Sequence, residues 1–341
     1  MSRLILRCTL VMVWTVASVV HAAEPASFVE ITAPLRKATD IGLEYLASAQ
    51  APDGSYGARN YGRHVGITAL AALAFMADGH LPQRGNYGPN VQKGLNFVLN
   101  HAQPSGLIAA DTSHGPMYGH GFATLFLAEI FGMTGDRRTH EALVKAVRLI
   151  VATQNHEGGW RYHPVPQQAD ISVTICQIMA LRAARNGGIS VPRQTMDRAI
   201  AYVRRCQNPA DGGFRYMLTS GGSAFARSAA GVASLYYRGA DEIEQNNPAI
   251  QRGLDYLMRL QQGAARANVS HYFYGHYYAS QAMYFAGDDY WPQWFAWIRQ
   301  QLIAKQNPSG QWTSSHGDAY ATAMALLILQ VPNRLLPIFQ K

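Results

Sequence analysis

Six glutamine-led stretches constrain this chain more than any other feature. The clearest are Gln154-Asn155-His156-Glu157-Gly158-Gly159-Trp160 and Gln207-Asn208-Pro209-Ala210-Asp211-Gly212-Gly213-Phe214. The same order, a Gln closing an amphipathic segment and then a Gly-bearing turn and an aromatic or aliphatic residue, returns at Gln50, Gln103 and Gln306. A worn copy stands at Gln261-Gln262-Gly263. The six glutamines recur every 45 to 54 residues, which makes the chain a repeat protein.

Each repeat reads as a helix, the Gln/Gly turn, a variable loop and a second helix. The first helices are amphipathic: Leu35 to Ala49 sets Ile41, Leu43, Leu46 and Ala47 against Arg36, Lys37, Asp40 and Glu44. The second helices, such as Gly66 to Ala77, carry almost no charge and are expected to be buried on most sides. Prolines at Pro89, Pro192, Pro248 and Pro292 fall where a first helical turn tolerates them. Strand signals are absent. Twelve helices in six pairs, one set amphipathic and one apolar, predict an all-α (α/α)₆ toroid with an inner and an outer ring. An open solenoid is the lesser option.

The expected organisation is a secretory signal at 1–23, one toroid domain at 35–330 and a tail at 331–341. Arg3 and Arg7 precede an apolar run from Cys8 to Val20, with Ala22 and Ala23 after it. The run is shorter than the ~20 residues that span a bilayer, so a secreted or periplasmic protein with no membrane span is expected. Without the signal, the net charge of +8 falls to about +6, and the excess is spread thinly. No basic tract or nucleic-acid motif stands in the chain, which argues against a nucleic-acid partner. Cys176 and Cys206, both in predicted helices, leave room for at most one disulfide.

The Gln154 to Trp160, Gln207 to Phe214 and Gln306 to Trp312 segments resemble the repeats of the squalene/oxidosqualene cyclase and protein prenyltransferase β-subunit superfamily, over about residues 35 to 330. The resemblance implies the toroid, and it implies that the Gln closes an outer helix while the aromatic packs on a neighbouring repeat. A Gln amide can satisfy stray helix-end carbonyls, and paired glycines allow positive φ at the turn. The family's chemistry does not carry over. Adjacent acids occur at Asp241-Glu242 and Asp288-Asp289, in inter-repeat loops, so the cyclase Asp-x-Asp-Asp motif is missing. Thr174, not Asp, stands two residues before Cys176, so the zinc set of the prenyltransferases is missing as well. The thioester Cys and Gln of complement-like toroids have no counterpart.

Aligning the apolar helices on Thr68, Thr124, Thr174, Ser228, Ser280 and Thr322 puts His64, His120, Asp170, Ala224, His276 and Asp318 four residues earlier. First-turn residues of inner helices are expected at the mouth of the toroid, beside six positive helix ends. His276, Asp318, His64, His120 and Asp170 then form one arc, a candidate acid–base set. The alternatives are helix capping and a metal site. No short-range ligand pair falls within the arc, so no metal or other cofactor is expected. Asp170 and Asp318 lie three repeats apart, too far for the 5–9.5 Å of a paired-carboxylate glycosidase. Loop residues His114 and His316 are candidates to join.

Arg227 and the aromatic run around Tyr274, Tyr277 and Tyr278 are candidate substrate contacts; core packing is their alternative. Three readings stay open. One is a toroid binding a small or lipid-like ligand in a deep central pocket, with a divergent His/Asp acid–base activity. The second is a polysaccharide lyase or hydrolase with an open Tyr/Trp groove and Arg for carboxylates. The third is a non-catalytic scaffold with a filled centre.

Overall fold

The computed structural model describes residues 30–58, 62–110, 112, 115–237, 247–262, 270–287 and 289–340. The segment 1–23 expected to be a signal, His114, Asp241-Glu242 and Asp288 lie outside the described residues. The outer helices are α1 (Ala33–Ala49), α3 (Gly88–Asn100), α5 (Arg137–Ala152), α7 (Arg193–Cys206), α9 (Pro248–Gln262) and α11 (Trp291–Lys305). They alternate with inner helices α2 (Val65–Ala77), α4 (Met117–Thr134), α6 (Ile171–Asn186), α8 (Phe225–Tyr236), α10 (Tyr272–Ala286) and α12 (Asp318–Leu329). A two-residue hairpin, β1 (Gly57–Ala58) with β2 (Gly62–Arg63), is a small departure from the all-α expectation.

The inner helices are buried because little in them needs water. All thirteen residues of α2 are buried. Each inner helix packs on the next, and α12 packs on α2, so the ring closes. Closure is also written in the glutamines. The Nε2 of Gln154 donates to Gly158 O of its own turn at 2.8 Å and to Thr195 O, in the first turn of the next outer helix, at 2.9 Å. Gln50 and Gln207 repeat this toward Asn90 O and Ala249 O. Gln306 reaches back to Ala38 O of α1 at 2.9 Å, joining the last repeat to the first. The stray carbonyls are thus those of the neighbouring repeat, not of the helix the Gln ends. The turn glycine sits so close that only Gly fits: a Cβ on Gly158, at φ +104°, would lie 2.3 Å from Arg198 O.

The aromatic that follows is pinned twice. Trp160 Nε1 donates to Ile150 O at 2.8 Å and Trp312 Nε1 to Leu302 O at 2.8 Å, in each case the carbonyl four residues before the Gln. Their backbone N–H groups donate to the hydroxyls of Thr174 and Thr322, each at 3.0 Å. Tyr56 and Phe214 do the same with Thr68 and Ser228.

The axis of the ring is occupied. Tyr277 of α10 donates to Met179 Sδ of α6 and lies 6.5 Å from the ring of Phe122 of α4. Tyr278 meets Cys176 Sγ at 3.5 Å. The tail seals the C-terminal end of the inner helices. Gln330 and Asn333 donate to Ala74 O and Ala77 O, and Ile338 and Phe339 are buried. The Ile338 N–H donates to the buried Glu129 carboxyl at 3.3 Å. A recess lies at the other end, where α10 and α12 begin. Cys176 and Cys206 are free thiols.

Candidate functional site at the mouth of the toroid

The proposed arc does not form as one row. The hydroxyl that receives the turn N–H defines the true register, and in the second repeat that N–H, from Ile108, goes to His120 Nδ1 at 3.2 Å. His120 therefore occupies the slot of Thr68 and Thr174, one turn deeper than expected. Helix α4 begins at Met117, with Pro116 in the capping position. His120 is fully buried, and burial pushes its pKa down to about 4. His276 is also buried, among Tyr272, Phe225, Trp294 and Trp297, and its pKa falls to about 3. Both rings are neutral core groups rather than mouth residues.

The remaining three members stand at helix starts. His64 caps α2, its Nδ1 accepting from Gly66 and Ile67 N–H. Asp318 opens α12, half-buried. Asp170 caps α6, with Oδ1 accepting from Ser172 and Val173 N–H at 2.9 Å each. Its other oxygen, Oδ2, is buried without a hydrogen-bond partner and lies 3.9 Å from Arg161 Nε, itself unpartnered. Burial raises the Asp170 carboxyl to about 6, while the two N–H groups, Arg161 and the Tyr216 hydroxyl pull the other way.

Around Asp170 the structure gathers tyrosines from several elements. The Tyr162 and Tyr216 hydroxyls are hydrogen-bonded to each other. Their carbonyls accept from the first N–H of α4 and α6, Met117 and Ile171, at 3.1 and 3.0 Å. The Tyr118 ring lies 6.1 Å from that of Tyr162, and Arg161 stacks over Tyr162 at 5.2 Å. Tyr274 crosses from α10 to donate to Ser172 O at 2.7 Å. Burial raises the phenols of Tyr118, Tyr216 and Tyr274, so they remain proton donors. Arg227 joins from α8: a Cβ on Gly221 would come within 2.9 Å of Tyr216 Cβ and 3.3 Å of Arg227 Nη1.

Of the three expected aromatic contacts, Tyr274 is half-buried at this mouth. Tyr277 and Tyr278 are core, at 2% and 0% exposure, with no face open to a ligand. Arg161, Tyr162 and Tyr216 were missed. Their signal is a repeat within the repeat: Trp160-Arg161-Tyr162 and Phe214-Arg215-Tyr216 follow the two Gly-Gly turns in identical positions. Among the described residues, no group of three or more His, Cys, Asp or Glu side chains is arranged to hold a metal ion.

No family model matches the chain. A drimenyl diphosphate synthase of Streptomyces showdoensis is 30% identical over 193 residues, which is 55% of this chain and 34% of that protein. The chain thus matches only about a third of that relative's length. The type II terpene cyclase MstE of Scytonema superposes with a TM-score of 0.61 over 89% of this chain and 99% of its own, at 14% identity. The chain folds as an α/α toroid, as that cyclase does. Cellobiose 2-epimerase of Spirochaeta thermophila shares the toroid too, with a TM-score of 0.67 over 91% of this chain and 99% of its own, at 14% identity. At such identities the likeness is one of fold, and the toroid's mouth is where its own residues must be read.

Proposed function

We propose that this toroid binds a small or lipid-like ligand at its tyrosine-lined mouth and transfers a proton there, with Asp170 as the titrating group. The observation that carries the reading is the buried Asp170 Oδ2, unpartnered at the base of the tyrosine cluster and 3.9 Å from Arg161 Nε. A carboxyl that titrates near 6 suits proton transfer close to neutrality. In the acid role Oδ2 gives up its proton to the ligand, and the Arg161 guanidinium stabilises the carboxylate that remains. Tyr118, Tyr162, Tyr216 and Tyr274 offer ring faces and hydroxyls that position the ligand. The export signal expected from the sequence of residues 1–23 supports a location outside the cytoplasm for this activity.

A glycan ligand is the second reading. It is favoured by half-buried tyrosines flanked by Arg161 and Arg227, a lining suited to sugar rings and acidic substituents. The occupied axis at Tyr277 and Tyr278 counts against a deep apolar pocket.

Asp170→Asn tests both, because the amide oxygen still accepts from Ser172 and Val173 N–H while the titrating group is lost. Screened against lipid and glycan panels, the variant is expected to keep its fold and its ligand while turnover drops by about 10²–10⁴. Unchanged turnover in the variant, or no ligand from either panel bound by the wild type, would overturn the proposal.

A further inference from the structure

A recess opens between the starts of α10 and α12 and the end of α11. It has a volume of ≈ 1000 Å³ and is lined by His271, Lys305, Asn307, Ser315, His316 and Tyr320, among others, with no carboxylate among the described residues of its lining. The His271 and His316 rings lie parallel, 5.9 Å apart and 11° from coplanar, although the residues are 45 positions apart in the chain. Lys305 rides over the Tyr272 ring at 5.5 Å, and His316 meets the edge of Tyr320 at 5.6 Å.

His271 carries a second mark. It sits at the capping position of α10 with φ 57° and ψ 46°, in the left-handed region, and its side chain caps nothing there. A non-glycine residue in that region is strained, and such outliers gather at ligand sites. Glycine would fit the backbone better, so stability alone does not account for the imidazole. Its ring instead helps to form the wall of the recess, close to the first backbone N–H groups of α10, which favour negative charge.

We propose that this recess is an anion-binding site that holds a phosphate, sulfate or carboxylate group of the ligand. Lys305 supplies fixed charge, the two imidazoles and the hydroxyls of Ser315 and Tyr320 supply hydrogen bonds, and the start of α10 adds its positive end. Tyr320 connects the recess to the mouth, where it is among the groups acting on Tyr274. The inference deepens the reading of the mouth by naming an anionic group on its ligand. Binding of a free anion does not depend on Asp170, so the two readings fail separately.

The test is titration of the full chain with inorganic phosphate and with sulfate at constant ionic strength, read by calorimetry and by thermal shift. Wild type and Asp170→Asn are expected to bind alike. Lys305→Gln is expected to weaken binding by about tenfold or more. His271→Gly is expected to lose a similar factor while its melting temperature without anion stays level or rises, because glycine relieves the left-handed strain. Galacturonate and geranyl phosphate are then set against inorganic phosphate, and the one that competes identifies a carboxylate or a phosphate ester as the source of the group. The proposal is overturned if neither inorganic anion binds, if both substitutions bind as wild type does, if neither organic anion competes, or if zinc stabilises the chain where anions do not.

Discussion

The backbone N–H of Trp160 donates to Thr174 Oγ1 at 3.0 Å, and through that bond the Gln154 turn finds its place on an inner helix. Tyr56 with Thr68, Phe214 with Ser228 and Trp312 with Thr322 repeat it. Both partners in the third repeat are buried, at 1% and 0% exposure. Thr174→Val keeps the shape and removes the acceptor, leaving a buried donor unpaired. The expected cost is about 1–3 kcal/mol in denaturant unfolding, with Thr174→Ser costing less. Equal stability of the Val variant and wild type would mean that the bond does not set the register.

Closure of the ring makes a different demand. Gln306→Ala removes the donor shared by Gly310 O and Ala38 O, the second of which lies on α1. In a closed toroid its loss is felt at both chain ends. Hydrogen exchange is therefore expected to speed up in α1 and α12 together, with about 1–2 kcal/mol lost overall. Faster exchange confined to α12 would indicate an open solenoid.

The buried Glu129 sets a pH dependence. Burial raises its carboxyl from an ordinary value near 4.5 to about 8, so the folded chain holds a proton that the unfolded chain has released. Between those values the unfolded state binds fewer protons, and stability falls as pH rises, by up to a few kcal/mol in total. Asp170 acts in the same direction but only up to about pH 6. Up to about pH 7 the buried, neutral His120 and His276 oppose both carboxyls, because the unfolded imidazoles still bind protons there. From about pH 7 to 8 the wild type is therefore expected to lose stability as pH rises, with a slope of less than one proton. Glu129→Gln, which can still accept from the Ile338 N–H, is expected to flatten that slope. An unchanged slope in the variant would show that Glu129 does not carry it.

The candidate site was only partly legible in the sequence. The place of Asp170 at a helix start was legible because a carboxylate just before an apolar helix is a local pattern, and in the structure it caps α6 with one oxygen to spare. His120 was misplaced because Thr124 imitates Thr68 one turn away. A one-turn slip of about 6 Å keeps every side chain on the same face of a helix, so hydrophobic period cannot detect it. Only the destination of the Ile108 N–H does.

From the sequence alone come six repeats, twelve helices and two rings, because helix period and turn chemistry act over a few residues and are written in consecutive letters. Tertiary structure alone decided the rest. It joined Tyr162 to Tyr216 across 54 positions, set His271 against His316, and filled the axis with Tyr277, Tyr278 and the tail. Those contacts depend on how far each helix slides along its neighbours when the ring closes, and that distance is set by the packing of all six repeats together.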